Sequence, residues 1–262
     1  MIGLGPLVAI TAGVVLVAVT VTFGIARLRG RYDTIDTFWG LGFALVAVVA
    51  FPLGSGPLVL RLVTAALTVV WGVRLAVHLH VRNRGGGEDP RYQRMVERAG
   101  DNPGVRIFVR VYLLQAVILW FVSLPVQFAM YGTGLGVLGW IGVAVWVLGF
   151  TFESVGDAQL SRFRADPGNR GEVLDTGLWR YTRHPNYFGD ACVWWGLYLL
   201  ACSTWPGAAT VLSPIAMTFT LARGTGKPIL EKGMARTRPG YATYVERTSG
   251  FFPLPPKKLT RR

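Results

Sequence analysis

The densest concentration of reactive side chains is GLWRYTRHPNYFGD, residues 177–190, directly ahead of the apolar run DACVWWGLYLLACSTW. Arg180, Arg183 and His184 supply cationic donors, Asn186 supplies a paired donor and acceptor, and Tyr181 and Tyr187 offer rings and hydroxyls. Pro185 disfavours helix at His184, so the next helix is expected to begin near Asn186 and Tyr187. A helix start presents free N–H groups and the positive end of the peptide dipole. Such a start beside arginines is the usual protein answer to phosphate. An interfacial loop that binds lipid headgroups would account for the cations. It would not account for Asn186 or for the carboxylates that precede the stretch.

Those carboxylates lie in FESVGDAQLSRFRADP, where Glu153, Asp157, Leu160 and Arg164 follow helical spacing. Two acids near the end of an apolar helix, followed by Arg162 and Arg164, read as a polar pocket at its mouth. A second constellation lies in TVVWGVRLAVHLHVRNR, where Trp71, Arg74 and His78 share one helical face. An arginine inside a membrane helix costs at least about 2.5 kcal/mol, so it normally faces a partner in the protein interior. Snorkelling toward the inner end is the alternative for Arg74. Asp36, in RYDTIDTFWG, is expected to cap a helix that begins near Thr37, and becomes a proton donor only if it faces the pocket.

Two patterns carry no chemistry. Gly134, Gly136 and Gly139 match GxGxxG but lack the strand–turn–helix context of a dinucleotide fingerprint, so close helix packing explains them better. Cys192 and Cys202 have neither zinc nor redox spacing, and with three histidines in the chain no metal site is expected.

The elements that must position these residues follow from composition. The chain has 262 residues, 52% hydrophobic and 16% charged, where a soluble domain carries about 25% charge. Mean hydropathy is +0.41. Apolar segments at roughly 4–26, 37–53, 58–81, 107–131, 135–157, 187–203 and 206–222 approach the length that crosses a bilayer. The expected fold is all-α, a polytopic membrane protein with a seven-transmembrane-helix bundle. The first segment has its basic cluster, RLRGR, after it rather than before it, unlike a cleaved signal, and reads as a retained helix. With the N-terminus outside, RLRGR, the loops 82–106 and 158–186 and the tail from Arg223 all fall on the cytoplasmic side. A net charge of +13 then points to anionic lipid headgroups or an anionic cofactor at that face, not to nucleic acid. The chain is expected to form one integral membrane domain, 1–262, with three helices and a loop in 1–106 and the cofactor pocket in 107–262. The bacterial inner membrane is the expected location.

Four segments together resemble the bacterial DUF1295 family, a branch of the steroid 5-alpha-reductase-like membrane proteins: SLPVQF (123–128), FESVGDAQLSRF (152–163), NRGEVLDTGLWRYTRHPNYFGD (169–190) and LEKGMARTRPGYATYVERTSGFFP (230–253). The resemblance implies a seven-helix bundle that binds NADPH from the cytoplasm and reduces a carbon–carbon double bond in a lipid that enters laterally. By position, Asp157 and Arg164 look like the family's helix-end pair that holds the cofactor, and Asn186 like its cofactor-binding asparagine. Asp190 stands where many relatives have Glu, Trp194 looks like the aromatic near the nicotinamide end, and Arg74 like the inward arginine of the third helix. The tyrosine that polarises an enone in steroid reductases is Trp71 here, His78 stands where a second tyrosine is expected, and the second helix has no Glu. The proton donor implied is therefore His78, Asp36 or water. A second resemblance is to isoprenylcysteine and phospholipid methyltransferases that use S-adenosylmethionine. Arg183, His184, Pro185, Tyr187 and Gly189 fit their RHPxYxG motif, and Glu231, Tyr241 and Tyr244 fit a later Glu and YxxY-like segment. A third reading is a lipid-binding protein without catalysis.

Overall fold

The structure is a computed structural model that describes residues 2–257 except residues 99, 101 and 225. Among the described residues it is helical, with no strand and one isolated bridge between Thr182 and Ser249. Five helices are long and apolar enough to cross a membrane: α1 (Leu4–Arg29), α2 (Thr34–Leu53), α3 (Leu58–Asn83), α5 (Pro103–Ala129) and α6 (Val137–Ala165). A short amphipathic helix, α4 (Pro90–Glu97), stands between α3 and α5. The remaining helices are α7 (Pro185–Ala201), α8 (Leu212–Ala222), α9 (Lys227–Thr237) and α10 (Tyr241–Arg247). In lipid every backbone polar group needs an internal partner, which is why apolar runs of this length fold as helices.

Local chemistry sets the ends. α1 stops at Gly30, whose left-handed φ of 65° lets its N–H reach the carbonyls of Ala26 and Arg27. α4 starts at Pro90 behind Asp89, whose side chain accepts from the Arg91 N–H. α5 contains a π-helical turn, Phe108–Leu113, and a break at Ser123 ahead of Pro125. At 29 residues α6 is about 43 Å long. That exceeds a hydrocarbon core of about 30 Å, so the end carrying Asp157 and Arg164 has helix to spare.

Three expectations are corrected. Asp36 does not cap α2: the helix begins at Thr34 behind Asp33, and Asp36 stands within its first turn. The loop 82–106 contains α4. The sixth apolar segment forms a helix within two residues of its expected bounds, but the seventh forms one of only 11 residues, preceded by the short turns Trp205–Ala208 and Ala209–Val211. Short polar and glycine-rich stretches such as CSTWPG break the apolar run there.

Contacts divide the chain into two compact units, one of residues up to 140 together with 197–213, the other of 141–196 together with the residues from 214 on. In the first unit α2 lies against α3, with Gly40 and Gly72 so close that a Cβ on either would strike the other's carbonyl oxygen. A buried chain of hydrogen bonds, Thr11 Oγ1 to Gln127 Oε1 at 2.7 Å and Gln127 Nε2 to Ser123 Oγ at 2.9 Å, ties α1 to α5. In the second unit a Cβ on Gly189 of α7 would lie 2.5 Å from the Gly149 carbonyl oxygen of α6. Small residues at such crossings let backbones meet, the principal source of helix association in a membrane.

Candidate functional site

In the second unit the residues singled out on α6 and at the start of α7 meet. Glu153 and Asp157, one turn apart on α6, are both buried. Asn186, in the first turn of α7, donates from Nδ2 to Asp157 Oδ1 at 3.1 Å, and its Oδ1 accepts the Tyr187 N–H at 3.0 Å. The side-chain amide thus takes up one N–H of the first turn and orients the carboxylate at once. Trp194 is fully buried and Asp190 half-buried further along α7. Arg164 and Arg180 are exposed.

The stretch between α6 and α7 is a junction. The Trp179 indole donates to the Gly156 carbonyl at 3.1 Å, and the Leu178 N–H to Gln159 Oε1 at 3.0 Å, both on α6. Residues 181–183 run beside the C-terminal segment. The Arg183 N–H donates to Ser249 O at 2.9 Å, Thr182 Oγ1 to Phe251 O at 2.8 Å, and the Leu254 N–H to Tyr181 O at 3.0 Å.

Charge closes the junction. The buried Arg183 guanidinium donates to Glu231 Oε1 at 2.8 Å and to the carbonyls of Thr248 and Val245 at 2.6 and 3.2 Å. His184 Nε2 is 3.1 Å from the same Glu231 oxygen, and the His184 ring stacks on Tyr187. Burial lowers the His184 pKa from its ordinary 6.5, and the Glu231 contact only partly restores it. A neutral imidazole that donates from Nε2 fits this arrangement. Burial alone would raise the Glu231 carboxyl, but the hydrogen bonds from His184 and Arg183 overcome it and hold the group at about 2. The Tyr244 hydroxyl donates to the Trp179 carbonyl at 2.6 Å. The Tyr241 hydroxyl is buried without a hydrogen bond of ordinary geometry, and burial followed by the Glu231 charge pushes it up to about 12.

The first unit holds the other sequence-derived candidates. Trp71 is fully buried, its ring 5.6 Å from that of Phe43, while Arg74 and His78 are half-buried on α3. Asp36 accepts from the Tyr92 hydroxyl at 2.6 Å and from Arg91 at 2.8 Å. Burial and then the Asp36 charge raise the Tyr92 phenol far above its ordinary range, so it stays a donor. Alongside, the Glu88 carboxylate accepts the N–H groups of Tyr32 and Asp33 at 2.6 and 2.8 Å. Arg31 joins Asp33 to the carbonyls of Asn83, Gly86 and Gly87. Trp71, Arg74, His78 and Asp36 therefore belong to one unit, and Glu153, Asp157, Arg164, Arg180, Arg183, His184, Asn186, Tyr187, Asp190 and Trp194 to the other.

Sequence reasoning did not foresee Tyr92 or Thr182, and it placed Glu231, Tyr241 and Tyr244 only in the methyltransferase pattern. The signal for Glu231 was available, since an acid among the many bases of the tail has cations to pair with. Nothing in the local pattern marked Tyr92 as the partner of Asp36. Among the described residues no three His, Cys, Asp or Glu side chains converge as metal ligands would.

Comparison with known proteins agrees with the resemblance read from the motifs. The family model described as "Protein of unknown function (DUF1295)" matches residues 22–248. An uncharacterized protein of Schizosaccharomyces pombe is 23% identical over 220 residues, covering 73% of this chain and 63% of that protein. The chain thus spans less than two thirds of that relative's length. No solved structure matches it. With most of its length matched, the chain belongs to the DUF1295 family.

Proposed function

We propose that this DUF1295 protein is an NADPH-dependent reductase of a carbon–carbon double bond in a membrane lipid of sterol, polyprenoid or fatty acyl type. The observation that carries the reading is the Asp157–Asn186 pair at the start of α7, set against the buried Glu153. A fixed carboxylate and amide are the groups that recognise ribose hydroxyls and a carboxamide. The exposed Arg164 and Arg180 are the groups that recognise phosphates. The donor set therefore fits a nicotinamide nucleotide, which when bound would supply hydride. Asn186 and Asp157 would hold the ribose end, Arg164 and Arg180 the phosphates, and Trp194 would wall the nicotinamide end. The proton donor this reading implies is His78, water, or Asp36, which accepts from Tyr92 and Arg91. The same reading places seven crossings in a bacterial inner membrane, with the cofactor entering from the cytoplasm and anionic headgroups around the basic loops.

Titration of the purified protein with NADPH, with NADH as control, tests this. Saturable NADPH binding is expected, at least tenfold weaker in Asn186→Ala. No saturable binding to the wild type, or equal binding to the variant, rejects it.

One observation favours a second reading. Glu231 lies against Arg183 and His184, with its charge felt at Tyr241, so the residues of the methyltransferase pattern are brought together. Saturable binding of S-adenosylmethionine without NADPH binding would replace the reductase by a membrane methyltransferase.

A further inference from the structure

Between α9 and α10 the second unit has a groove of about 680 Å³, apart from the Asp157–Asn186 pair. Its apolar lining includes Ala242 and Val245 of α10, beside the buried Tyr241. Its rim is cationic, formed by Lys232, Arg236 and Arg238. The acids that line it are Glu231 and Glu246, and Glu231 is already held by Arg183 and His184. Arg238 is braced from behind by its hydrogen bond to the Glu172 carbonyl, which fixes one cation at the rim. Lys232 and Arg236 are one turn apart on α9 and exposed, so both can close on one anion.

From this lining we infer that the α9–α10 groove is a recognition site for a phosphate monoester with an apolar body. A monoester near neutral pH carries close to two negative charges and three acceptor oxygens, which suits two mobile cations and one fixed guanidinium. Ala242 and Val245 offer that body an apolar surface, and the neighbouring Tyr241, 2% exposed, ties α10 to Arg183 and Glu231 at the junction that begins α7. A nucleotide 2′-phosphate, a lipid phosphate and the free anion share this chemistry, and the inference stands whether or not nicotinamide binds at Asp157 and Asn186.

The test uses full-length protein in zwitterionic nanodiscs, titrated with 2′,5′-ADP and with inorganic phosphate, and a parallel series with phosphatidic acid in the bilayer. At least one of the three is expected to bind saturably. Lys232→Ala/Arg236→Ala should weaken it about tenfold, whereas the charge-matched Arg94→Ala/Arg98→Ala, on exposed sites of the first unit, should leave it unchanged. Preference for 2′,5′-ADP assigns the groove to a nucleotide, preference for phosphatidic acid to a lipid, and equal binding of all three to the phosphate alone. Absence of saturable binding for every probe, or equal weakening by the two double variants, overturns the inference.

Discussion

The two units solve one problem twice, with different consequences. Each uses an arginine, a carboxylate and a tyrosine to fasten a distant segment to a helix start. In the first unit Arg91 and Tyr92 of α4 grip Asp36 of α2, and the arginine side chain is 49% exposed. In the second Arg183 grips Glu231, and the arginine side chain is 10% exposed. Water can replace the first guanidinium at little cost. It reaches the second far less, and loss of that guanidinium would leave two backbone carbonyls short of a donor and Glu231 held by His184 alone. The same chemistry is therefore an adjustable tether in one unit and a fixed joint in the other.

Substitutions can break that contrast, beginning with the buried joint. Arg183→Met should lower stability by about 3–5 kcal/mol, the usual cost of removing one partner of a buried pair, read as a large fall in thermal unfolding temperature in detergent. A loss no greater than that of an exposed pair would dissolve the distinction. Opening the Gly149–Gly189 contact comes next. Gly189→Leu should cost about 1–3 kcal/mol by overpacking, with the unfolding temperature again the readout. Tyr92→Phe removes one of the donors to Asp36 and should cost about 1.5 kcal/mol. Arg91→Ala should cost under about 1 kcal/mol and become undetectable at high salt.

Acid sharpens the comparison without mutation. His184 has a folded pKa below 6.5, so as pH falls through 6.5 the unfolded chain binds a proton that the folded chain refuses. Glu231 does the same between its ordinary 4.5 and about 2. Both contributions are complete above pH 6.5 and lost as pH falls. An unfolding temperature that declines as pH falls through 6.5, and a further decline below pH 4.5 that is shallower in Glu231→Gln, are the expected outcomes.

Much of the helical architecture was legible because membrane helices announce themselves by apolar length and basic flanks. Helices α1 to α3 lie within a few residues of the drawn segments. The seventh segment was overdrawn, because hydropathy averages across Pro206 and the turn residues around it, whereas a helix is interrupted there by geometry. Asp36 was misread as a cap for a related reason. An acid near a helix start satisfies the cap rule by position alone, and the rule does not ask whether a tyrosine 56 residues later will claim it. RHPNY was recognisable as unusual, yet its cations look alike in sequence. Only packing separates Arg183, which is buried and committed to Glu231, from Arg180, which stays exposed.

The pairing of residues 181–183 with the C-terminal segment has a consequence for synthesis. Arg183 and the Thr248 carbonyl that receives its guanidinium are 65 residues apart. At translation rates of about 5–20 residues per second the arginine waits several seconds for its acceptors. During that interval α6 and α7 can enter the bilayer and meet, but the junction between them stays open and the guanidinium stays hydrated. Locking of the joint therefore waits on residues 245–254, the acceptors and partners that are made after α7. A message cut short before Ser249 would yield helices that insert normally and a joint that never locks, which makes incomplete copies recognisable to membrane proteases by local instability rather than by failed insertion.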